Sequence, residues 1–339
     1  MLDKIESAKT EASPEVAAVI EAGAALPVLD LGPFLAGAPG AVDQLVSDVR
    51  HIQETLGFYC IINHGIDQAL VDDLVEETRA LFHLPDREKL RFRAGRHMQG
   101  YWPPNTVANI RPGFEEETDR KSSTGGWVFS PHREPDDPKV VAGQPHRAVN
   151  QWPDPALSPR FRPLMERYQG EMLALAQKLI PIYARVVGQP ADYFDADFVN
   201  PEWYTRCNYH AGGGNGMFVN AHSDHSFLTL LPLSRVPGLQ VRTPKGDWID
   251  VCFQEGAIVV NTGEWLNRLS NGRLIATPHR VTQPREERIS VPFFMDPNDE
   301  AWGDPVPGSV PPGETPRFER VQFGEFYGRY IDDLTLPRT

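Results

Sequence analysis

The chain has 339 residues, 40% hydrophobic and 10% aromatic, which is enough to bury a large core, and a net charge of -13. That acidity argues against a general nucleic-acid or anionic-membrane partner, because both attract basic surfaces. Three scattered cysteines, Cys60, Cys207 and Cys252, argue against a disulfide framework or a thiolate zinc site, and no apolar run approaches the roughly 20 residues that span a bilayer.

Residues 1–24 read as a lead-in, mixed charged and polar over Met1–Ala12 and without a signal-peptide pattern, so the expected compartment is the cytoplasm. Residues 25–339 are expected to form a single catalytic domain, with a helix-rich part over 25–200, a core over 201–300 and a cap over 301–339. Pro27–Leu31 is a short apolar strand ending at Gly32-Pro33. In Ala41–Leu56 the apolar positions Val42, Leu45, Val49, Ile52 and Leu56 recur at three and four, predicting an amphipathic helix stopped by Gly57. Phe58–Ile62 follows as a strand, and Gln68–Leu81 returns to helical spacing. The basic run Arg87–Arg96, interleaved with Glu88, reads as a solvated face.

Residues 95–155 lose periodicity and fill with glycine, proline and aromatics, among them Tyr101, Trp102, Phe114, Trp127, Phe129 and Trp152. So many aromatics favour an ordered surface layer over disorder. His97, His132 and His146 read as solvated loop residues. Arg160–Val187 is the clearest helix, bent or broken at Pro181. After Phe194, strands recur at short intervals: Tyr204–His210, His222–Leu231, Gly238–Arg242, Trp248–Val251, Ala257–Thr262, His279–Thr282 and Ile289–Met295. This spacing predicts a double-sheet β architecture, closed by a helix near Phe318–Asp333.

Chemistry concentrates in that second half. In an extended strand, side chains at i and i+2 leave from one face, so His222 and Asp224 converge. His279, after the turn signal Ser270-Asn-Gly272, supplies a third candidate ligand. Two histidines and a carboxylate with the remaining positions open form the arrangement of non-haem Fe(II) oxygenases. Arg288 and Ser290 repeat the spacing of two before the apolar run Val291–Met295. A buried arginine without an anion is costly, and its fork suits an organic carboxylate.

These four motifs, in this order, resemble the signature of the 2-oxoglutarate and Fe(II)-dependent dioxygenases of the isopenicillin N synthase-like superfamily. The spacings fit as well, with 55 residues from Asp224 to His279 and nine from His279 to Arg288. Arg206-Cys-Asn-Tyr-His210 resembles the family's Arg-x-Asn-x-Tyr segment, with His210 in place of the tyrosine. Pro27–Leu31 and Gly57–Gly65 extend the resemblance to the N-terminal part.

The resemblance implies a mainly β fold with surrounding helices around a double-stranded β-helix, the jelly-roll or cupin-like core. It implies Fe(II) held by His222, Asp224 and His279, with 2-oxoglutarate and dioxygen in the open positions. Arg288 and Ser290 would take the far carboxylate of 2-oxoglutarate, with Asn208 near its chelating end and His210 standing where the family has a tyrosine contact. Oxidative decarboxylation of the cosubstrate would drive oxidation of a small organic molecule, hydroxylation being the usual outcome. Arg111, Lys121 and Trp127 are candidates for the substrate side, and Phe218 and Phe294, flanking the metal strands, hint at an apolar or aromatic part in the substrate. His64 reads as a turn residue, and His225 is expected to point away from the metal. An Fe(II) oxidase working without 2-oxoglutarate and a non-catalytic cupin-like sensor are the alternatives; a zinc hydrolase is weaker, because no general base sits in a motif beside the triad. The prime substrate and the oligomeric state stay open.

Overall fold

The computed structural model describes residues 11–95, 97–104, 124–213 and 217–335. Thirteen strands appear in chain order: β1 (Val28–Asp30), β2 (Phe58–Ile62), β3 (Gly100–Trp102), β4 (Gly125–Phe129), β5 (Glu202–His210), β6 (Met217–His222), β7 (Leu228–Pro232), β8 (Leu239–Arg242), β9 (Trp248–Asp250), β10 (Ile258–Thr262), β11 (His279–Thr282), β12 (Arg288–Ser290) and β13 (Phe293–Asp296). They form two sheets. The larger runs β1-β2-β10-β7-β13-β5-β4-β3, with β12 also paired to β5, and the smaller runs β6-β11-β8-β9. From β5 onward the chain crosses repeatedly from one sheet to the other, which is the winding of a double-stranded β-helix, and one cavity is lined from both sheets.

The outer face of the large sheet is covered by helices whose apolar positions repeat at three and four. Helix Ala41–Thr55 buries Leu45, Val49 and Ile52, and helix Gln68–Phe82, capped by the Asp67 carboxylate on the Ala69 amide (2.9 Å), buries Leu70, Leu74 and Leu81. Both pack against helix Phe161–Val186. That helix continues through Pro181 without a break, so of the two outcomes predicted there interruption does not occur. Its buried stripe Met165, Tyr168, Met172, Leu175 and Leu179 faces the sheet, and the Tyr168 hydroxyl donates to the Val291 carbonyl (2.5 Å), just before β13.

Four expectations need correction. The described part of the aromatic segment holds two strands that were not predicted: β3 and β4 add to the edge of the large sheet through β5. His222–Leu231 is not one strand, because β6 ends at His222 and β7 begins at Leu228. A short helix, Glu264–Leu269, lies where none was foreseen, and the terminal helix runs over Phe323–Thr335. His146 is buried, with only 2% of its surface accessible, instead of solvated. Among the described residues, no helix is long and apolar enough to cross a membrane.

Candidate metal centre and its cavity

β6 and β11 pair antiparallel with His279 directly opposite His222, which brings the two imidazoles to 4.3 Å between ring centres. Asp224 reaches the same point from the turn beyond β6 and not from the strand itself. One ligand atom from each of the three residues lies within 4.8 Å of the other two. Asp224 Oδ1 faces His222 Nε2 at 3.8 Å and His279 Nε2 at 3.5 Å. The opposite ring nitrogens are occupied. His222 Nδ1 donates to the Asn220 carbonyl (2.8 Å) and His279 Nδ1 to the Thr277 carbonyl (3.2 Å), so both Nε2 atoms carry the lone pair and can ligate.

The second carboxylate oxygen of Asp224 is held by the protein. Thr229 Oγ1 donates to Oδ2 at 2.7 Å and Asn261 Nδ2 at 2.8 Å, from neighbouring strands β7 and β10. Burial pushes this carboxyl up, but the imidazoles of His279 and His222 and those two hydrogen bonds outweigh it and hold the group ionised, below its ordinary value. The turn itself is pinned by the start of helix Glu264–Leu269, where the Glu264 amide donates to the Asp224 carbonyl (2.7 Å) and the Trp265 amide to the His225 carbonyl (3.1 Å). Gly263 permits this contact: a Cβ there would sit 2.2 Å from the Ser226 carbonyl oxygen.

On the facing sheet, β5 and β12 pair Arg288 with His210 and Ser290 with Asn208. The Arg288 guanidinium is buried, with Nε donating to the Val236 carbonyl (3.1 Å) and Nη1 to Ser290 Oγ (3.2 Å) and His210 Nε2 (3.4 Å). No carboxylate among the described residues pairs with it, and burial lowers it to about 10. His210 is pushed well below its ordinary value by burial and then by Arg288 and Arg206, so it is neutral and accepts from Arg288. Imidazole here aims the guanidinium. The shared cavity, about 130 Å³, also takes in Tyr204, Arg206, Phe294 and Tyr330. At about 10–15 Å³ for each enclosed water, that is room for a small organic molecule.

Residues 26–155 match the family described as non-haem dioxygenase in morphine synthesis N-terminal, and residues 201–297 match the 2OG-Fe(II) oxygenase superfamily. The chain is 29% identical over 326 residues to isopenicillin N synthase of Streptomyces clavuligerus, covering 91% of this chain and 95% of that protein. It is 30% identical over 312 residues to the 2-oxoglutarate-dependent dioxygenase frbJ of Dothideomycetidae sp. (strain 11243), covering 88% of this chain and 80% of that one. The chain belongs to the 2OG-Fe(II) oxygenase superfamily. Its fold is also that of a full-length Neurospora crassa protein solved in complex with alpha-KG and thymine, with a TM-score of 0.79 at 22% identity over 92% of this chain and 98% of that one. As a member of the 2OG-Fe(II) oxygenase superfamily it is a 2-oxoglutarate-dependent dioxygenase, an oxidoreductase that works with Fe(II), 2-oxoglutarate and dioxygen.

The residues present fit those groups. Two imidazole nitrogens and one carboxylate oxygen on one side of a point suit Fe(II), and a buried guanidinium beside a hydroxyl, with no described carboxylate against it, suits a dicarboxylate. Of the predicted site residues, the structure brings together His222, Asp224, His279, Arg288, Ser290, Asn208, His210 and Phe294 in one cavity. Trp127 is not there. Fully buried in β4, it packs on Tyr101 and Phe129 and donates from Nε1 to the Gln151 carbonyl (2.8 Å), on the far side of the sheet from Asn208. Arg111 and Lys121 lie outside the described residues, as does the side chain of Phe218. His64 faces the Gly256 carbonyl (2.8 Å), away from the cavity, and His225 is buried among Tyr204, Tyr327 and Tyr330 with Nε2 3.5 Å from Asp296 Oδ2. Sequence reasoning missed Thr229, Asn261 and Gly263. The available signal was a polar side chain within otherwise apolar strands, Leu228-Thr-Leu-Leu and Ile258-Val-Val-Asn.

Proposed function

We propose that this dioxygenase hydroxylates a small organic molecule, with His222 and His279 Nε2 and Asp224 Oδ1 as its iron ligands and Arg288 with Ser290 as the clamp for the far carboxylate of 2-oxoglutarate. The observation that carries the reading is the Arg288 guanidinium, buried, without a described counter-charge and opening into the same cavity as the His222, Asp224 and His279 cluster. The larger of two hydrophobic clusters runs from Val16 to Ile331, which supports a single catalytic domain over 25–339 against which part of the lead-in packs.

Iron and its cosubstrate supply, when bound, an oxidant able to take hydrogen from an unactivated C–H bond. The protein's part is positional. Asn220 and Thr277 carbonyls fix the tautomers, Thr229 and Asn261 fix the carboxylate, and His210 and Ser290 aim the guanidinium. Apolar walls from Phe58, Leu231, Leu239 and Val281 exclude water from the reacting centre.

The test is oxygen uptake and succinate release by the Fe(II)-loaded protein, with and without 2-oxoglutarate, across amino acids, small peptides, terpenoid acids and phenolics. Substrate-stimulated succinate release with a hydroxylated product is expected. Oxygen uptake unchanged without any 2-oxo acid would move the protein to the oxidase alternative. Full iron affinity and turnover in His279→Ala would overturn the ligand assignment.

A further inference from the structure

Arg206 is the second cation in this cavity, and nothing in the reading above uses it. It sits on β5 with Asn208 and His210 at i+2 and i+4, so all three side chains leave from the face that lines the cavity. Its guanidinium lies deep in the barrel, and Nε has no hydrogen-bond partner among the described residues. Burial lowers the group from its ordinary value, with Tyr204 and Tyr330 acting in the opposite sense. No described carboxylate pairs with it.

The fold makes room for this side chain. Gly126 on β4 lies beneath it, and a Cβ at that position would stand 2.9 Å from Nε and 3.1 Å from Nη2. A cation is thus laid against a strand, without a described counter-ion, with its other edge toward the ligand space. Four residues of strand, about 13 Å of backbone, separate it from the Arg288–His210 pair. Both carboxylates of 2-oxoglutarate are already placed, one at Arg288 and one at the metal. Among the described residues, none supplies an anion to Arg206.

We propose that the prime substrate is a small organic acid and that Arg206 binds its carboxylate, with Tyr204, Phe294 and Tyr330 around its apolar or aromatic body. The inference rests on the dioxygenase reading for what the cavity does, but its charge argument is separate. A single guanidinium with phenols beside it matches one carboxylate, whereas a dianionic phosphate would call for further cations.

The experiment titrates the full-length protein, loaded with Fe(II) and 2-oxoglutarate under anaerobic conditions, with alkanoic and arylalkanoic acids of graded length, each against its methyl ester, by calorimetry. At least one acid is expected to bind roughly tenfold or more tighter than its ester. Arg206→Met, which keeps the length and loses the charge, should abolish that preference while 2-oxoglutarate binds as before, and Arg206→Lys should restore part of it. Gly126→Ala, which displaces the guanidinium without removing it, should weaken the same acid and covers the case in which Arg206→Met does not fold.

Two results would overturn the proposal: no acid outbinding its ester, or Arg206→Met weakening 2-oxoglutarate in place of the acid. Failure of 2-oxoglutarate to bind, or its indifference to Arg288→Met, would count against the dioxygenase reading instead. The preference of acid over ester at Arg206 would still be measured.

Discussion

Two groups of cations lie along β5 and its surroundings, wholly or largely shielded from solvent, and have opposite partners. At the start of β5, Arg133, Lys139 and Arg147 surround Glu202 and Asp299: Arg133 Nη2 reaches both Glu202 oxygens (2.6 and 2.8 Å), Lys139 Nζ bridges Glu202 (2.7 Å) and Asp299 (2.6 Å), and Arg147 Nε meets Asp299 at 3.1 Å. Four residues along the same strand stands Arg206, and across from the strand's end Arg288, neither with a carboxylate among the described residues. Burial opposes the charge in both groups. In the first, internal carboxylates compensate it, so the network fastens the segment before helix Phe161–Val186 to the barrel. In the second no described carboxylate compensates it, and the anions proposed above would do so. Counter-charge, and not residue type, separates the cations paired inside this fold from the two that line its cavity.

The largest effect is expected where the compensation is internal. Glu202→Ala leaves Arg133 and Lys139 facing each other without their shared carboxylate, and should cost about 3–5 kcal/mol in urea denaturation. A loss below about 1 kcal/mol would erase the contrast. Arg288→Met should do the reverse, leaving the unfolding midpoint unchanged or higher while raising the KM for 2-oxoglutarate by roughly 10- to 100-fold, the scale of a charge-assisted contact of about 1.5–3 kcal/mol. A midpoint that collapses in this variant would make Arg288 a structural cation. Asn261→Ala removes one of the two donors fixing Asp224 Oδ2, and Fe(II) affinity measured by competition with a chelator should fall about 10- to 100-fold with the fold intact.

The smallest effect concerns pH. His146 is buried between elements, edge-on to Tyr327 and His97, with Arg147 beside it and Asp332 at 4.0 Å. Burial, then the charges of His97 and Arg147, lower it to about 4. The unfolded chain takes up that proton near pH 6.5, so between about 6.5 and 4 the unfolded state binds more protons and stability falls as pH falls. From about pH 6.5 to 5 the loss should be about 1–2 kcal/mol. His146→Phe should flatten that stretch of the stability profile, and a slope identical to that of the unaltered protein would refute the assignment.

The short-range part of this site was legible in the sequence. Spacings of two placed Arg288 with Ser290, and the ordered motifs singled out His222, Asp224 and His279. Alternation along Arg206-Cys-Asn-Tyr-His210 already puts Arg206 on the face of Asn208 and His210, although its lack of a counter-charge is visible only in three dimensions. Trp127 went astray for a physical reason: without periodicity in 95–155, neither the strand β4 nor the face it turns to the cavity could be read. Asn261 meets Asp224 from 37 residues away, a partner no local pattern encodes, and Thr229, only five residues on, showed itself only as a hydroxyl in an apolar run. The turn that carries Asp224 was taken for strand because a spacing of two does not distinguish a strand from the residues just past its end.

Gly263 carries a consequence for how this enzyme tolerates change. It touches no ligand, bears no functional group and lies outside every motif, yet a single added carbon would meet the Ser226 carbonyl oxygen at 2.2 Å and the Asp224 carbonyl oxygen at 2.8 Å. Relief of that overlap requires either the helix Glu264–Leu269 or the turn bearing Asp224 to move, and the amides of Glu264 and Trp265 tie the two together. In a library of single substitutions scored for turnover, this position should therefore be as depleted as His222 and His279, and a screen guided by chemistry alone would leave it out.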